Sequence, residues 1–239
     1  MIAGRKVLAV VPARGGSKGI PLKNLREVDG RSLVALAGDI IRSVPAIDRA
    51  IVSTDHDAIA KVAQESGIDA PFMRPADISG DRIGDFEVLI HALESTEAID
   101  RVRYEIIVML QPTSPLRTPD NVSDAIRLLV EGHWDSVWTV SETDSKGHPL
   151  KQLTIADGAV DYYDPRGSQI FARQQLVPVY HRNGVAYAMT RECLVEQRTI
   201  KGRKCGALVI PDEQVSIDTE NDIALVEWVL SHRSRGRTA

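Results

Sequence analysis

Short apolar runs alternate with amphipathic stretches up to residue 140, and this alternation constrains the fold more than any other feature of the sequence. Four apolar runs predict buried strands, at 7–11, 50–53, 105–110 and 136–140. Four amphipathic stretches predict helices, at 32–43, 56–66, 85–96 and 119–130. This order is typical of an α/β protein with a mainly parallel sheet and helices on both faces. Because ligands of such sheets bind beyond the carboxyl ends of the strands, we expect the functional residues there.

The alternation breaks at residue 141. The stretch 141–180 is polar and rich in turns, and Asp157-Gly158 predicts a hairpin turn. It indicates an arm inserted into one domain spanning 1–230, rather than a second domain. Strands resume at 184–189 and 207–210, a last helix is predicted at 219–230, and the basic tail 231–239 is expected to be disordered.

The composition narrows the class of protein. The chain has 239 residues and a formal net charge of −4, which fits one domain and argues against a nucleic-acid polymer as partner. No apolar run approaches the roughly 20 residues that cross a membrane, and the N-terminus does not resemble a leader. Cys193 and Cys205 lack the spacing of a metal site. We therefore expect a soluble, cytoplasmic protein that does not bind a membrane.

The loop after the first predicted strand combines glycines with cations. Its members at 12–24 include Arg14, Gly15, Gly16, Ser17, Lys18, Gly19, Lys23 and Asn24. Glycines bring backbone N–H groups close to a ligand, and the cations suit a triphosphate. The spacing matches neither a P-loop nor the dinucleotide fingerprint. A solvated glycine-rich turn is the alternative, but the preceding strand and the following Lys23-Asn24 favour phosphate binding.

Three later motifs are candidates for substrate contacts. Residues 111–117 read Gln-Pro-Thr-Ser-Pro-Leu-Arg, and the two prolines fix the loop in a position to contact a substrate. The alternative is a rigid connector that only caps the next helix. The polar cluster between Arg173 and Gly184 suits a carboxylate and hydroxyls, or forms a surface turn. Before the last predicted helix, Asp218 or Thr219 is a candidate N-cap, and the alternative is that Asp218 binds a divalent cation.

Taken together and in this order, the motifs resemble one family. Pro-Ala-Arg-Gly-Gly-Ser-Lys-Gly-Ile begins at Pro12, Ser-Thr-Asp at Ser53, the glutamine motif at Gln111 and Ser-Ile-Asp-Thr at Ser216. The chain resembles the acylneuraminate cytidylyltransferases, also called CMP-sialic acid synthetases, over 6–230. The resemblance implies a Rossmann-like nucleotide-diphospho-sugar transferase fold and a homodimer whose arm crosses to the partner's site. It implies transfer of CMP from CTP to a nonulosonic acid, with release of pyrophosphate, for cell-surface glycan synthesis.

The resemblance also implies roles for individual residues. CTP would be bound by Arg14, Ser17, Lys18, Lys23, Asn24 and Arg74. The sugar would be bound by Gln111, Arg173, Gln174, Tyr180 and Asn183. The charge that develops on the phosphates would be stabilised by Arg14, Lys18, Lys23 and a Mg²⁺ ion held by Asp218. Two positions depart from the family pattern: Ser216 replaces a second aspartate, and Gly84-Asp85 replaces small hydroxyl residues.

Two alternatives stay open on the sequence alone. A nucleotidyltransferase of the same fold would act on another sugar acid, such as the eight-carbon acid Kdo. A catalytically weak nucleotide-sugar binding protein would explain the carboxylate missing at Ser216. N-acetylneuraminic, legionaminic and pseudaminic acids are all candidate acceptors, and no residue is identified as a general base.

Overall fold

The structure is a computed structural model that describes residues 1–236. Ten strands form in this part of the chain: β1 (Val7–Pro12), β2 (Glu27–Val28), β3 (Arg31–Ser32), β4 (Arg49–Ser53), β5 (Ile106–Met109), β6 (Ser136–Glu142), β7 (Leu153–Ala156), β8 (Ala159–Tyr162), β9 (Tyr180–Thr190) and β10 (Cys205–Val209). Six α-helices accompany them: α1 (Leu33–Arg42), α2 (Asp57–Glu65), α3 (Asp85–Asp100), α4 (Pro119–Glu131), α5 (Arg191–Val195) and α6 (Glu220–Gly236). No described helix is both long and apolar enough to cross a membrane.

The central sheet has six strands in the order β10-β6-β9-β5-β1-β4. All neighbours are parallel except β9, which runs antiparallel to both β5 and β6. The prediction of a mainly parallel sheet is confirmed. Strand β9 is reversed because it returns from the arm as the second half of a hairpin with β6, and for the same reason it begins at Tyr180 rather than at 184.

Alternate residues of β1 face opposite sides of the sheet, and both sides are covered. Val7 and Val11 belong to a buried cluster that includes residues of α1, α2 and α4. Leu8 and Val10 belong to a second cluster that includes residues of α3 and α5. A strand buried on both faces must be apolar throughout, which is why β1 reads as a continuous apolar run. The predicted helices on both faces are confirmed.

The helix ends follow the local sequence. The Ser32 hydroxyl accepts a hydrogen bond from Ala35 N at 3.3 Å, as expected of an N-cap. Gly67 follows α2 with a φ of +80°, a conformation in which glycine has no Cβ penalty. At α4, Thr118 and Asn121 form a capping box.

A third, smaller core lies beneath the loops at the carboxyl edge of the sheet. It joins buried side chains from the first loop, the 111–117 loop, the segment before α6 and α6 itself, among them Ile20, Leu116, Ile217 and Val226. Apolar contacts from four parts of the chain therefore fix these loops relative to one another.

The arm continues the hairpin of β6 and β9 beyond the sheet. The two strands pair as far as Glu142 and Tyr180, and Thr143 N donates to Val179 O at 2.9 Å. Strands β7 and β8 form a separate hairpin, which turns at Asp157 and Gly158 with φ values of 51° and 81°. Two successive left-handed residues are typical of a type I′ turn, so the predicted hairpin turn is confirmed.

The expected disorder of the basic tail is wrong for residues 231–236, because α6 continues through them. Arg233 donates to Leu116 O at 3.1 Å and to Glu213 O at 2.9 Å, and the His232 ring stacks on Trp228. The Arg233 hydrogen bonds attach this end of the helix to the loops, whereas the His232–Trp228 contact lies within the helix. The rest of the predicted tail, 237–239, lies outside the described residues.

Candidate active site

A cavity of about 560 Å³ opens at the carboxyl ends of β1 and β5. Eight of the residues singled out from the sequence line it: Arg14, Ser17, Lys18, Lys23, Asn24, Arg74, Gln111 and Asp218. They come from four separate parts of the chain. The sheet topology brings these parts together because parallel strands end at a common edge.

The first loop is folded back on itself by polar contacts. The buried Asn24 amide donates from Nδ2 to Arg14 O at 2.9 Å. Gly15 N donates to the Asp55 carboxylate at 2.8 Å, and Lys23 Nζ lies 2.7 Å from Asp218 Oδ1. The loop is therefore positioned before any ligand arrives.

Two glycines of this loop have different structural roles. A Cβ on Gly19 would lie 2.5 Å from Asp218 O, a backbone atom that cannot move aside cheaply. A Cβ on Gly16 would meet nothing within 4 Å. Only Gly19 is required for the close approach between the first loop and the Asp218 segment.

The cations of the loop have an acidic neighbour that the sequence analysis missed. Arg14 Nη1 lies 2.7 Å from Asp81 Oδ1, and Lys18 Nζ lies 2.6 Å from Asp81 Oδ2. The hydrogen bond from Lys18, together with that from Arg14, outweighs desolvation and lowers the pKa of Asp81. No sequence pattern separates Asp81 from Asp77 in the same irregular stretch, so only the fold reveals this contact.

Arg74 is a buried arginine at the cavity wall. Its Nη2 donates to Ser53 O at 2.6 Å, and its backbone N donates to Thr54 O at 2.7 Å, so it is anchored to the end of β4. Its buried Nε has no hydrogen-bond partner within the described chain. Burial lowers the pKa of Arg74, partly offset by the charge of Asp55. Such a side chain suits a ligand that supplies an acceptor.

Arg117 positions the 111–117 loop from beneath. The buried guanidinium donates from Nε to Ser114 O at 3.1 Å and from Nη2 to Gly184 O at 3.3 Å, and Nη2 also contacts Gln111 O. Burial lowers the pKa of Arg117 to about 9. The planar guanidinium of Arg117 thus joins the loop that carries Gln111 to strand β9.

Gly184 lets β9 pass close to this loop. Its φ is +72°, and a Cβ there would lie 2.5 Å from Ser114 Oγ and 2.6 Å from Gln111 Oε1. Ser114 Oγ in turn donates to Asn183 O at 2.9 Å. The Gln111 side chain therefore packs directly against a position where only glycine fits.

The structure does not bring Asn183 to the cavity. Its Oδ1 accepts from Thr139 Oγ1 at 2.7 Å and from Val185 N at 3.2 Å, and its Nδ2 donates to Ser141 Oγ at 3.1 Å. The buried amide is thus engaged by β6 and β9. Its predicted contact with the sugar remains a prediction, while its observed role is to support the strand beside Gly184.

Three other predicted sugar-binding residues lie on the arm and do not line the cavity of the single chain. Arg173 borders a groove of about 360 Å³ between the two ends of the arm, together with Asp144 and Val177. Gln174 and Tyr180 are exposed. Their predicted roles require the arm to meet a second site.

In the segment before α6, the Asp218 carboxylate does not cap the helix. Thr219 is the cap: Thr219 N donates to Asp222 Oδ2 at 2.7 Å, and Asp222 N donates to Thr219 Oγ1 at 3.4 Å. Ile217 N donates to Thr113 O at 2.8 Å, which fixes the segment to the second loop. The Asp218 side chain, 74% exposed, is left facing Lys23.

The residues present fit a magnesium ion held jointly with a ligand. The described residues contain no group of three or more His, Cys, Asp or Glu side chains arranged for a metal. Mg²⁺ commonly takes one or two protein carboxylates and completes its shell with substrate phosphates and water. Asp218, which lines the cavity beside Ser216 and the cationic loop, would supply one such carboxylate.

Asp85 is a third acidic residue that lines the cavity, besides Asp81 and Asp218. It is the first residue of α3 and is half-buried. No hydrogen bond or ion pair reaches its carboxylate from the described chain, and burial raises its pKa. The sequence analysis noted this position only as a departure from a family pattern.

Comparisons with known proteins agree with this geometry. A profile of the family described as Cytidylyltransferase matches residues 8–230. The chain is 30% identical over 228 residues to the CMP-N,N'-diacetyllegionaminic acid synthase of Legionella pneumophila, covering 94% of this chain and 96% of the relative. It is 26% identical to a pseudaminic acid cytidylyltransferase of Campylobacter jejuni, covering 96% and 99%. The structure of a CMP:2-keto-3-deoxy-manno-octonic acid synthetase complexed with CTP superposes with a TM-score of 0.69 at 16% identity, covering 95% and 99%, which shows a shared fold.

Proposed function

Because the chain belongs to the cytidylyltransferase family, we propose that it transfers CMP from CTP to the anomeric hydroxyl of a nonulosonic acid and releases pyrophosphate. One observation carries the proposal: Arg14, Lys18 and Lys23 converge with Asp218 in one cavity at the end of β1. The relatives named for legionaminic and pseudaminic acids support a nine-carbon acceptor. The Kdo alternative has weaker support, since the 16% identical Kdo enzyme is evidence of fold alone.

The reaction needs positioned charge more than covalent chemistry by the protein. Phosphoryl-type transfers proceed in line, with negative charge spread over the phosphate oxygens. Arg14, Lys18 and Lys23 would hold the triphosphate and stabilise this charge as pyrophosphate leaves. Asp81 now pairs with Arg14 and Lys18, so the triphosphate takes the place of that carboxylate when it binds.

We assign the metal site to Asp218, with Mg²⁺ as the cofactor. When bound, the ion supplies additional positive charge to the phosphates. Lys23 Nζ, 2.7 Å from Asp218 Oδ1, holds the carboxylate at the mouth of the cavity. Ser216 leaves a single carboxylate in this segment, so the site depends on the phosphates for its remaining ligands.

A homodimer would complete the acceptor site. In the β7–β8 hairpin, Leu153 pairs with Tyr162 and Ile155 with Val160, so four apolar side chains share one face. All four are exposed in the single chain, Ile155 by 75%. An isolated two-stranded hairpin is marginally stable in water and leaves unpaired edges. A second copy that covers this face would bring Arg173, Gln174 and Tyr180 to the partner's cavity.

The dimer is tested by light scattering coupled to size exclusion. Ile155→Asp, on the apolar face, should give a monomer with little transferase activity. Thr154→Lys, a charged substitution on the opposite face of the same strand and directly across from Asp161, is the control and should remain dimeric. A monomeric wild-type chain with full activity would contradict the proposal.

Both cysteines are free thiols, Cys193 buried and Cys205 partly so. Free thiols are the ordinary state of cysteine in a reducing compartment. We therefore place the reaction in the cytoplasm.

The reaction itself is tested by pyrophosphate release. The purified chain is incubated with CTP and Mg²⁺ and with N-acetylneuraminic, legionaminic or pseudaminic acid, or Kdo. Release with a nine-carbon acid and not with Kdo supports the proposal, and Lys23→Met should abolish it. Lys61→Met, at an exposed position on α2, is the matched control. Tight CTP binding without release for any acid would favour the binding-protein alternative.

A further inference from the structure

Asp85 is a carboxylate that lacks a protein partner inside the cavity. It lines the same cavity as Gln111 and Arg74, and nothing in the described chain donates a hydrogen bond to its side chain. Removing a carboxylate from water without such a partner is costly. A fold retains such a group where a ligand uses it, and unpaired titratable groups in clefts are candidates for function.

Two of the three acidic residues that line the cavity, Asp81 and Asp85, have different neighbours. Asp81 contacts Arg14 and Lys18, the cations of the first loop. Asp85 interacts electrostatically with Arg182 and Tyr187, which both lie on β9. Asp81 therefore marks the phosphate side of the cavity, and Asp85 marks the side bordered by β9.

The β9 side is the side of Gln111. Tyr187 Oη accepts a hydrogen bond from Gly184 N at 2.9 Å, and Gly184 packs against the Gln111 side chain. Asp85 and Gln111 line the cavity, and Tyr187 is a buried residue of β9 that interacts with Asp85 and with Gly184 beside Gln111. Because the cations of the first loop are assigned to the phosphates and Gln111 to the sugar, we expect the acceptor to approach beside Gln111 and Asp85.

We propose that Asp85 is the catalytic base that takes the proton of the attacking anomeric hydroxyl; this inference rests on the proposed function. In the step, the hydroxyl O–H bond breaks and its proton passes to the Asp85 carboxylate. The oxygen forms a bond to the α-phosphorus, while the bond between the α-phosphorus and the bridging oxygen breaks. The bond electrons leave with pyrophosphate.

The electrostatic surroundings of Asp85 suit this role. Burial raises the pKa of Asp85, the charge of Arg182 on β9 lowers it, and the charge of Glu87 on the same helix raises it, with a net upward shift. A base gains from a pKa nearer to the operating pH, and its contribution is typically 10²–10⁴-fold in rate.

The test replaces the base while keeping its shape. Asp85→Asn should lower the single-turnover rate by about 10²–10⁴-fold, with KM for CTP and for the acid changed by only a few-fold. The wild-type rate should fall as the pH drops through the raised pKa of Asp85, and this acidic limb should be absent in Asp85→Asn. Asp77→Asn, on the exposed stretch before α3, is the control and should keep both the rate and the limb.

Asp85→Ser is the second variant, and a thermal melt of each variant verifies folding. If either folded variant keeps the wild-type rate, or shows only a raised KM with the acidic limb intact, the proposal is overturned and Asp85 is a recognition contact. Failure of the proposed function gives a different result, because the wild-type chain would then release no pyrophosphate with any nine-carbon acid.

Discussion

Replacing Gly184 with alanine adds one methyl group where β9 passes the 111–117 loop. With φ at +72°, the new side chain enters the left-handed region, which costs an L-residue roughly 1–2 kcal/mol. The methyl carbon would also lie 2.5 Å from Ser114 Oγ and 2.6 Å from Gln111 Oε1. Displacing Ser114 disturbs its hydrogen bond to Asn183 O, a loss of about 1 kcal/mol. We therefore expect Gly184→Ala to lower the free energy of unfolding by roughly 2–3 kcal/mol.

Gly30→Ala separates the two contributions. Gly30 has a φ of +73°, and a Cβ there would meet nothing within 4 Å, so this variant bears the backbone cost alone. In urea unfolding, the free energy of unfolding of Gly184→Ala should be lower than that of Gly30→Ala by about 1 kcal/mol, which is the cost of the contact with Ser114 and Gln111. KM for the sugar acid should rise only in Gly184→Ala, because Gln111 is displaced. Equal destabilisation of the two variants, with KM unchanged in both, would refute this account of the loop.

Three further predictions concern the first loop, its neighbour Asp81 and the two cysteine thiols. Gly19→Ala should weaken CTP binding at least tenfold by calorimetry, since its Cβ meets a backbone carbonyl, whereas Gly16→Ala should bind like wild type. Asp81→Asn should bind CTP several-fold more tightly, because it removes an anion that competes for two loop cations, and weaker binding would contradict the competition. Burial raises the pKa of the Cys193 thiol to about 12, so iodoacetamide at pH 8 should label Cys205 and spare Cys193, as read by peptide mass spectrometry.

The part of the site that follows regular strands could be predicted from the sequence. Arg14 and Gln111 follow short apolar runs that predict buried strands, and parallel strands that end at a common edge of the sheet bring them together. Asp218 was identified from a motif. That Thr219 and Asp222 form the helix cap, and Asp218 does not, depends on side-chain geometry that residue spacing does not encode.

The missed residues lie where tertiary contacts decide the path of the chain. Asp81 belongs to the irregular stretch between Arg74 and α3, which is anchored at its start by the hydrogen bond from Arg74 N to Thr54 O, and Asp85 is the first residue of α3. Asp81 has no local pattern to mark it, and the local sequence identifies Asp85 only as an acidic residue in the first turn of a helix. The tail was predicted wrongly for a similar reason: Arg233 reaches carbonyls of Leu116 and Glu213, which are distant in sequence.

The position of β9 in the sheet has a consequence for how the chain is made. Strand β9 lies between β5 and β6, and it alone joins β4-β1-β5 to β6-β10. During synthesis, β5 and β6 therefore emerge with open edges and stay apart until the arm has followed and β9 has been inserted. Such a sheet is rich in contacts between distant residues, which slows folding and leaves edges open to other chains. Truncation anywhere before Thr190 should accordingly yield an aggregating fragment rather than a smaller folded domain.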